Sequence, residues 1–207
     1  VIPGITATEL YDDYPIAREG VWGMIFNKQI DRLALHPSDM RYEALEPAHI
    51  LTGQIFGIYD SLVNALRHDL SIQADKPTPV FTFPYDWRMD IQQTADKLDD
   101  FIQQVLNRTR LLKHYQPADN LKVDLVGHSL GGLIICEYLG KAGSAAPVGK
   151  VVTLGTPFQG SNEAIAKLAT GTSPLAGPEP EAREREAARA TPSIYQILPS
   201  YPDAVVD

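Results

Sequence analysis

The chain is organised around residues 121–132, whose sequence is LKVDLVGHSLGG. The apolar, partly β-branched run that opens this stretch is typical of a buried strand, and the mostly apolar residues 133–139 are typical of a helix. Between them lies the pattern G-x-S-x-G, formed by Gly127, Ser129 and Gly131. A serine in a sharp strand-to-helix turn has strained backbone angles, so its neighbours two positions away must lack a Cβ atom. The stretch predicts a nucleophile elbow; the alternative is a glycine-rich turn with a spectator serine.

Composition and charge narrow the classes of function. The chain has 207 residues, a formal net charge of −8 and a single cysteine, Cys136, so an intrachain disulfide is excluded. The negative charge argues against nucleic-acid partners and provides no polybasic patch for anionic membranes. No uninterrupted apolar run approaches the length of a membrane span, so no transmembrane segment is expected. The sequence begins at Val1 rather than at a methionine, so we expect a trimmed N-terminus, and the localisation and oligomeric state stay open.

Metal and nucleotide sites are not expected. The sequence contains no HExxH motif, no cluster of cysteines and histidines at ligand spacing and no GxxxxGK phosphate loop. We therefore predict no metal and no cofactor.

Strands and helices alternate along the chain in the order typical of an α/β protein. This alternation predicts right-handed crossovers and a parallel sheet with flanking helices. Strands are expected at residues 1–2, 80–83, 121–126 and 150–154, the last of them buried. Helices are expected over residues 55–70 and, after a cap at Asp90, over residues 91–105.

Two stretches lie outside this alternation. Residues 7–50 are interpreted as an excursion over the strand ends with one short helix, in which Trp22 is expected to pack rather than to line an acyl site. Residues 161–207 are rich in loops, and 181–189 carry too few apolar residues to bury a helix face, so an exposed helix or a mobile segment is expected. We predict a core over residues 1–160 and a partial cap over 161–207; the alternative for the cap is a disordered tail.

A tight turn at Pro3-Gly4-Ile5-Thr6 follows the first predicted strand. In α/β-hydrolases a loop at this place supplies one backbone N–H of the oxyanion hole, and the residue after the nucleophile, here Leu130, supplies the other. The alternative is a plain turn, because Pro-Gly dipeptides are common in turns.

Pieces spread over nearly the whole chain resemble one family. They are residues 2–5, 83–88, 126–132 and 153–161, together with Pro192-Ser193 and Leu198-Pro199 in the predicted cap. In this order they are similar to the lecithin:cholesterol acyltransferase-like lipases and phospholipases of the α/β-hydrolase superfamily. The aromatic-Asp-Trp-Arg stretch at residues 85–88 is the most diagnostic piece, because the elbow alone is shared by a vast superfamily.

The resemblance implies an α/β-hydrolase fold and a serine-dependent chemistry on lipid acyl esters. By position, Ser129 is the implied nucleophile, and Ile5 and Leu130 are the implied oxyanion donors through their backbone N–H groups. Gly127, His128 and Gly131 complete the implied elbow. The serine would attack a lipid ester, form an acyl-serine intermediate and pass the acyl group to water or to an acceptor alcohol. The sequence leaves open whether hydrolysis or transfer prevails.

Asp86, Trp87 and Arg88 follow the strand expected at residues 80–83, at its carboxyl end, where sites in parallel sheets are found. One interpretation has them shaping the floor of the site. The other is a local ion pair between Asp86 and Arg88 with Trp87 packed beneath it. We favour the ion pair, because position in a fold is weak support for a catalytic role.

The triad departs from the superfamily order, in which an acid and then a histidine follow the nucleophile. All histidines of this sequence precede or adjoin Ser129. They are His36, His49, His68, His114 and His128. The last is part of the elbow and is not expected to reach its neighbour's hydroxyl. We expect an N-terminal portion of a longer enzyme, inactive alone, with the acid and the base beyond Asp207 and an exposed, aggregation-prone sheet edge.

Two other functions stay open at this point. One is a simple carboxylesterase or triacylglycerol lipase on the same scaffold, which a comparison of short soluble esters with phospholipid vesicles would distinguish. The other is a non-catalytic relic that binds lipid or a partner protein, against which the retained elbow and turn argue.

Overall fold

The computed structural model describes residues 1–12, 17–23, 29–33, 50–55, 57–71, 73, 75–113, 120–172, 182–202 and 204, which form a mixed α/β architecture. The strands are β1 (Thr8–Asp12), β2 (Glu19–Trp22), β3 (Ile50–Ile55), β4 (Val123–His128) and β5 (Val148–Leu154). The α-helices are α1 (Asp60–Asn64), α2 (Ile91–Arg110), α3 (Leu130–Ala142), α4 (Asn162–Thr170), α5 (Ala182–Arg189) and α6 (Pro192–Gln196).

The chain divides into two compact units. The first contains Val1–Ala7, Ile55–Tyr85 and Ile91–Thr156, and the second contains Thr8–Gln54, Asp86–Asp90 and Pro157–Asp207. The functional division into a core over residues 1–160 and a cap over 161–207 remains a prediction.

A small parallel sheet forms the centre of the first unit. β4 and β5 pair in parallel, with Val126 opposite Val152 and His128 opposite Leu154. At the other edge of β4, the Ile2 N–H donates to Val126 O at 2.8 Å and the His128 N–H donates to Ile2 O at 3.0 Å. This bridge is also parallel, which confirms the predicted strand end at Val1-Ile2 and the parallel pairing.

Residues 80–83 do not form a regular strand, contrary to the prediction. The Val1 amino group donates to Phe81 O at 2.8 Å, and the Phe83 N–H donates to Val1 O at 2.9 Å. Pro79 and Pro84 flank the segment and lack N–H groups, which limits the ladder to this short exchange.

Two helices cover the sheet residues of the first unit. α2 runs over twenty residues and buries the apolar stripe that the sequence predicts, including Ala95, Leu98 and Ile102. α3 begins directly after β4 and buries Ile134 and Ile135 completely. The two helices contact each other. The amphipathic helix and the elbow helix are therefore confirmed, and burial of their apolar faces stabilises the unit.

The helix predicted over residues 55–70 is present as consecutive short pieces. A 3₁₀ turn at Gly57–Tyr59 leads into α1, and a π-helical turn follows at Ala65–Asp69. Tyr59 is buried, whereas α1 buries none of its residues. A helix without a buried face gains little from packing, which explains why the segment does not continue as one regular helix.

The prediction that the strand at residues 150–154 is buried is wrong. Val151 is 40% exposed, Val152 49% and Leu154 40%. Within the described residues, β4 is the strand that pairs with β5, so β5 lies at the edge of this sheet. Apolar composition identified the strand, but it could not identify which neighbours cover it.

The second unit contains a three-stranded sheet in the order β2-β1-β3, with β1 and β2 antiparallel. The 3₁₀ turn at Ile30–Arg32 is the short helix found in the predicted excursion, and residues 34–49 lie outside the described part of the chain. Arg32 bridges the strands, because its guanidinium contacts Asp12 on β1 at 2.7 Å and Glu19 on β2 at 2.6 Å.

Helices α4, α5 and α6 lie in the second unit. α4 begins after Ser161, whose hydroxyl accepts the Glu163 N–H. α5 was expected to be exposed or mobile, but Ala187 and Ala188 are buried and the helix contacts α4 and the turn at Ile30–Arg32. Small alanine side chains allow close helix approach, so this helix packs without large apolar residues. Among the described residues, no helix is both long and apolar enough to cross a membrane.

Replacement of Ile134 by alanine tests the importance of the α3 face. Ile134 is fully buried, so we expect Ile134→Ala to lower the free energy of unfolding by about 2–5 kcal/mol through lost burial and a residual cavity. Cys136→Ala, on an exposed side of the same helix, should change it by less than about 0.5 kcal/mol. Urea unfolding followed by circular dichroism measures both, and equal effects would contradict the assigned packing.

Candidate active site

Ser129 occupies the turn between β4 and α3. Its φ of 50° and ψ of −122° lie outside the regions that L-residues ordinarily adopt. Its N–H donates to Leu154 O at 2.8 Å, which fixes the turn to the end of β5. In the described part of the chain, Thr6 is the one other non-glycine residue with a positive φ, at 63°. Strained backbone of this kind is concentrated at functional sites.

Gly131 and Gly127 allow close passage of backbone around the elbow. A Cβ atom at Gly131 would lie 2.4 Å from Ile2 O and 2.7 Å from Pro3 O. A Cβ atom at Gly127 would lie 2.9 Å from the Gly131 carbonyl. The need for glycine therefore has two causes: the tight turn itself, and the N-terminal segment that crosses the first turn of α3.

The turn at residues 3–6 lies directly against the serine. A Cβ atom at Gly4 would be 3.0 Å from His128 Nδ1 and 3.1 Å from Ser129 Cβ. Ile5 follows Gly4, and Leu130 follows Ser129, so both predicted oxyanion donors are adjacent to this contact. As the first residue of α3, Leu130 has an N–H that no carbonyl within the helix can accept.

Two buried tyrosines bind the turn. The Tyr59 hydroxyl accepts the Gly4 N–H at 2.9 Å and lies 2.7 Å from His128 Nδ1. The Tyr85 hydroxyl donates to Pro3 O at 2.8 Å. Burial raises the pKa of both phenols, for Tyr85 well above its usual range, while the Gly4 N–H partly offsets the rise for Tyr59. Both groups are therefore neutral near pH 7.

Neither tyrosine is marked by a sequence motif as a partner of the turn. Tyr59 falls within the helix predicted over residues 55–70, and Tyr85 within the stretch at residues 83–88. Their contacts join residues 55 and 82 positions apart, and no local pattern predicts such pairs.

Asp86, Trp87 and Arg88 belong to the second unit. Asp86 and Arg88 form the local ion pair that the sequence analysis favours. Arg88 Nε and Nη2 donate to the two oxygens of Asp86 at 2.9 and 2.7 Å, and Nη1 donates to Leu33 O at 3.0 Å. Arg88 is 2% exposed. A role of this pair in shaping the site remains a prediction.

Trp87 anchors the same cluster. Its indole N–H donates to Thr8 O at 3.3 Å, and its ring meets Trp22 edge to face with 5.3 Å between centroids. Ser193 Oγ donates to Trp87 O at 2.6 Å and so joins α6 to it. The expected packing role of Trp22 is confirmed by this contact.

No base for Ser129 is evident among the described histidines. His128 Nδ1 is engaged with the Tyr59 hydroxyl, and His68 is exposed on the π-helical turn. His36, His49 and His114 lie outside the described residues. Within the described ranges, no group of three or more histidine, cysteine, aspartate or glutamate residues is placed to hold a metal ion.

A family model described as lecithin:cholesterol acyltransferase matches residues 40–206, which is most of the chain. The chain belongs to the lecithin:cholesterol acyltransferase family. This membership confirms the resemblance and indicates an enzyme of acyltransferase or lipase type that acts on acyl esters. No significant match was found among curated proteins.

The family match covers the elbow of this acyltransferase-family chain and the cluster of Asp86, Trp87 and Arg88. It does not include the turn at residues 3–6. The assignment of that turn to the site therefore depends on its contacts with Ser129, His128 and the two tyrosines.

Substitution of Gly131 tests the close passage at the elbow of this family member. A methyl group there meets two backbone carbonyls, so we expect Gly131→Ala to cost about 3 kcal/mol in unfolding free energy. Gly140→Ala, in open space on the same helix, should instead stabilise the protein by about 0.5–1 kcal/mol. Thermal unfolding of both variants measures the contrast, and two changes of the same sign would refute it.

The Asp86–Arg88 pair can be tested against a surface pair. Arg88→Met leaves a largely buried carboxylate unpaired, so a loss of about 3–5 kcal/mol in unfolding free energy is expected. Arg189→Met breaks an exposed pair with Glu186 and should cost less than about 1 kcal/mol. Chemical denaturation compares the two, and a small effect at Arg88 would mean that the pair is not structural.

Proposed function

We propose that this chain carries the nucleophile and the oxyanion site of a serine-dependent lipid acyl-ester hydrolase or O-acyltransferase with an α/β-hydrolase fold. The observation that carries the proposal is the backbone of Ser129. A serine at φ 50° between a parallel strand and a helix, with a second strained turn that passes close to its Cβ, matches the strained strand-to-helix turn of a nucleophile elbow.

The proposed chemistry has two steps. Ser129 Oγ attacks the acyl carbonyl carbon, and the negative charge that develops on the carbonyl oxygen is received by the N–H groups of Ile5 and Leu130. The tetrahedral intermediate collapses, the alcohol leaves with a proton, and the acyl group stays on the serine. Water or an acceptor alcohol then attacks this ester and regenerates the hydroxyl.

The electrostatic environment supports this assignment of donors. Leu130 opens α3, whose dipole favours negative charge at its N-terminus. Tyr59 and Tyr85 are held neutral by burial, so neither places a negative charge beside the developing oxyanion. The proposal also requires a base that removes the Ser129 proton; Nδ1 of the neighbouring His128 is engaged with the Tyr59 hydroxyl.

Labelling with a fluorophosphonate probe tests the nucleophile in the natural polypeptide that contains this sequence. We expect one probe per chain on the peptide that carries Ser129, and no labelling of Ser129→Ala. Ser161→Ala, which removes the capping hydroxyl of α4, should label like the wild type. Absence of labelling in the folded wild-type protein would overturn the proposal and favour a non-catalytic relic.

The substrate class is tested separately from the nucleophile. Release of fatty acid from phospholipid vesicles, with and without an added sterol or short alcohol, reports hydrolysis and transfer. Turnover of short soluble esters without activity on vesicles would replace the lipid assignment by that of a simple carboxylesterase.

A further inference from the structure

We propose that Tyr59 is a positioning residue of the oxyanion site. Its hydroxyl links the turn at residues 3–6 to the elbow and thereby sets where the Ile5 N–H lies relative to Ser129. The inference rests on the proposed function, because it concerns the geometry of the same site.

The Tyr59 oxygen is shared by the two elements that carry the donors. It accepts the Gly4 N–H at 2.9 Å, one residue before Ile5, and it lies 2.7 Å from His128 Nδ1, one residue before Ser129. The two rings also meet edge to face, with centroids 5.7 Å apart. A single side chain therefore fixes the spacing between the turn and the elbow.

The Tyr59 oxygen has partners on two sides. It accepts the Gly4 N–H, and its other contact is with His128 Nδ1. The tautomer of the imidazole decides whether the phenol or the ring donates in this second contact, and the contact joins the turn to the elbow in either case.

The turn needs such support because of its own conformation. Thr6 is β-branched and has a φ of 63°, a conformation that costs on the order of 1–3 kcal/mol and persists only where surrounding contacts enforce it. Tyr85 donates to the Pro3 carbonyl, and Tyr59 accepts the Gly4 N–H, so both polar groups of the Pro3–Gly4 peptide that precedes Thr6 are hydrogen-bonded. Without the Tyr59 hydroxyl, the Gly4 N–H and His128 Nδ1 lose their shared partner.

The experiment measures the rate of fluorophosphonate labelling in the natural polypeptide that contains this sequence. Loss of an entire oxyanion donor slows acyl chemistry about 10²–10³-fold. Tyr59→Phe keeps the donor and displaces it, so we expect the limiting labelling rate constant to fall about tenfold to a hundredfold, with the half-saturating probe concentration unchanged. Tyr138→Phe removes another buried hydroxyl of the same unit, one that bonds neither Pro3 nor Gly4, and should label like the wild type.

Variants of His128 provide a second test that leaves Tyr59 in place. The asparagine amide has both an acceptor and a donor near the position of Nδ1, so His128→Asn should keep the contact with the phenol and retain most of the limiting labelling rate. His128→Leu should also lower the limiting labelling rate constant, and the double variant should lower it by less than the two single effects combined, because both changes remove the Tyr59–His128 contact. If Tyr59→Phe does not fold, the comparison of His128→Asn with His128→Leu tests the positioning role of Tyr59.

Each outcome separates the inference from the proposed function. If the wild-type protein is not labelled, the proposed function fails. If the wild type is labelled and folded Tyr59→Phe reacts at the same limiting rate, Tyr59 is structural and the inference fails alone. Equal rates for His128→Asn and His128→Leu would also overturn it.

Discussion

The first unit depends on the close passage of its N-terminal segment across the start of α3. Ile2 pairs with β4, and its carbonyl and that of Pro3 then occupy the space that a side chain at Gly131 would fill. This approach brings the turn at residues 3–6 close to Ser129, where the Tyr59 hydroxyl links the turn to the elbow. The strain at Ser129 is tolerated because its N–H donates to Leu154 O at the end of β5, and the Pro3–Gly4 peptide before Thr6 is held by Tyr85 and Tyr59.

Around this contact, the described residues form hydrogen bonds that join the turn to its neighbours. Tyr85 holds the Pro3 carbonyl, and Tyr59 contacts both Gly4 and His128. Ser129 precedes the first residue of α3, where the helix dipole favours negative charge. The lecithin:cholesterol acyltransferase family membership and this arrangement support the same class of chemistry on independent grounds.

The features that the sequence predicted well are local ones. The elbow needs glycines at fixed spacing, and α2 needs an apolar residue every three or four positions, so both are visible in a short window. The misjudged features depend on neighbours that no window contains. β5 has the composition of a buried strand but lies at an edge, and α5 has a polar composition but packs through two alanines. The link from Tyr59 to Gly4 was missed for the same reason, since it joins residues 55 positions apart.

The sequence separation between Tyr59 or Tyr85 and their hydrogen-bond partners also affects the order in which parts of the molecule fold. Secondary structure in α2 and α3 can form early, because its hydrogen bonds are local. The contacts of Tyr59 with His128 and of Tyr85 with Pro3 close loops of 69 and 82 residues, and closing such loops costs entropy before any contact compensates it. The contacts between the turn at residues 3–6 and its two tyrosines are therefore expected among the last to form. A helical but incompletely folded molecule would contain α3 without the turn placed against Ser129.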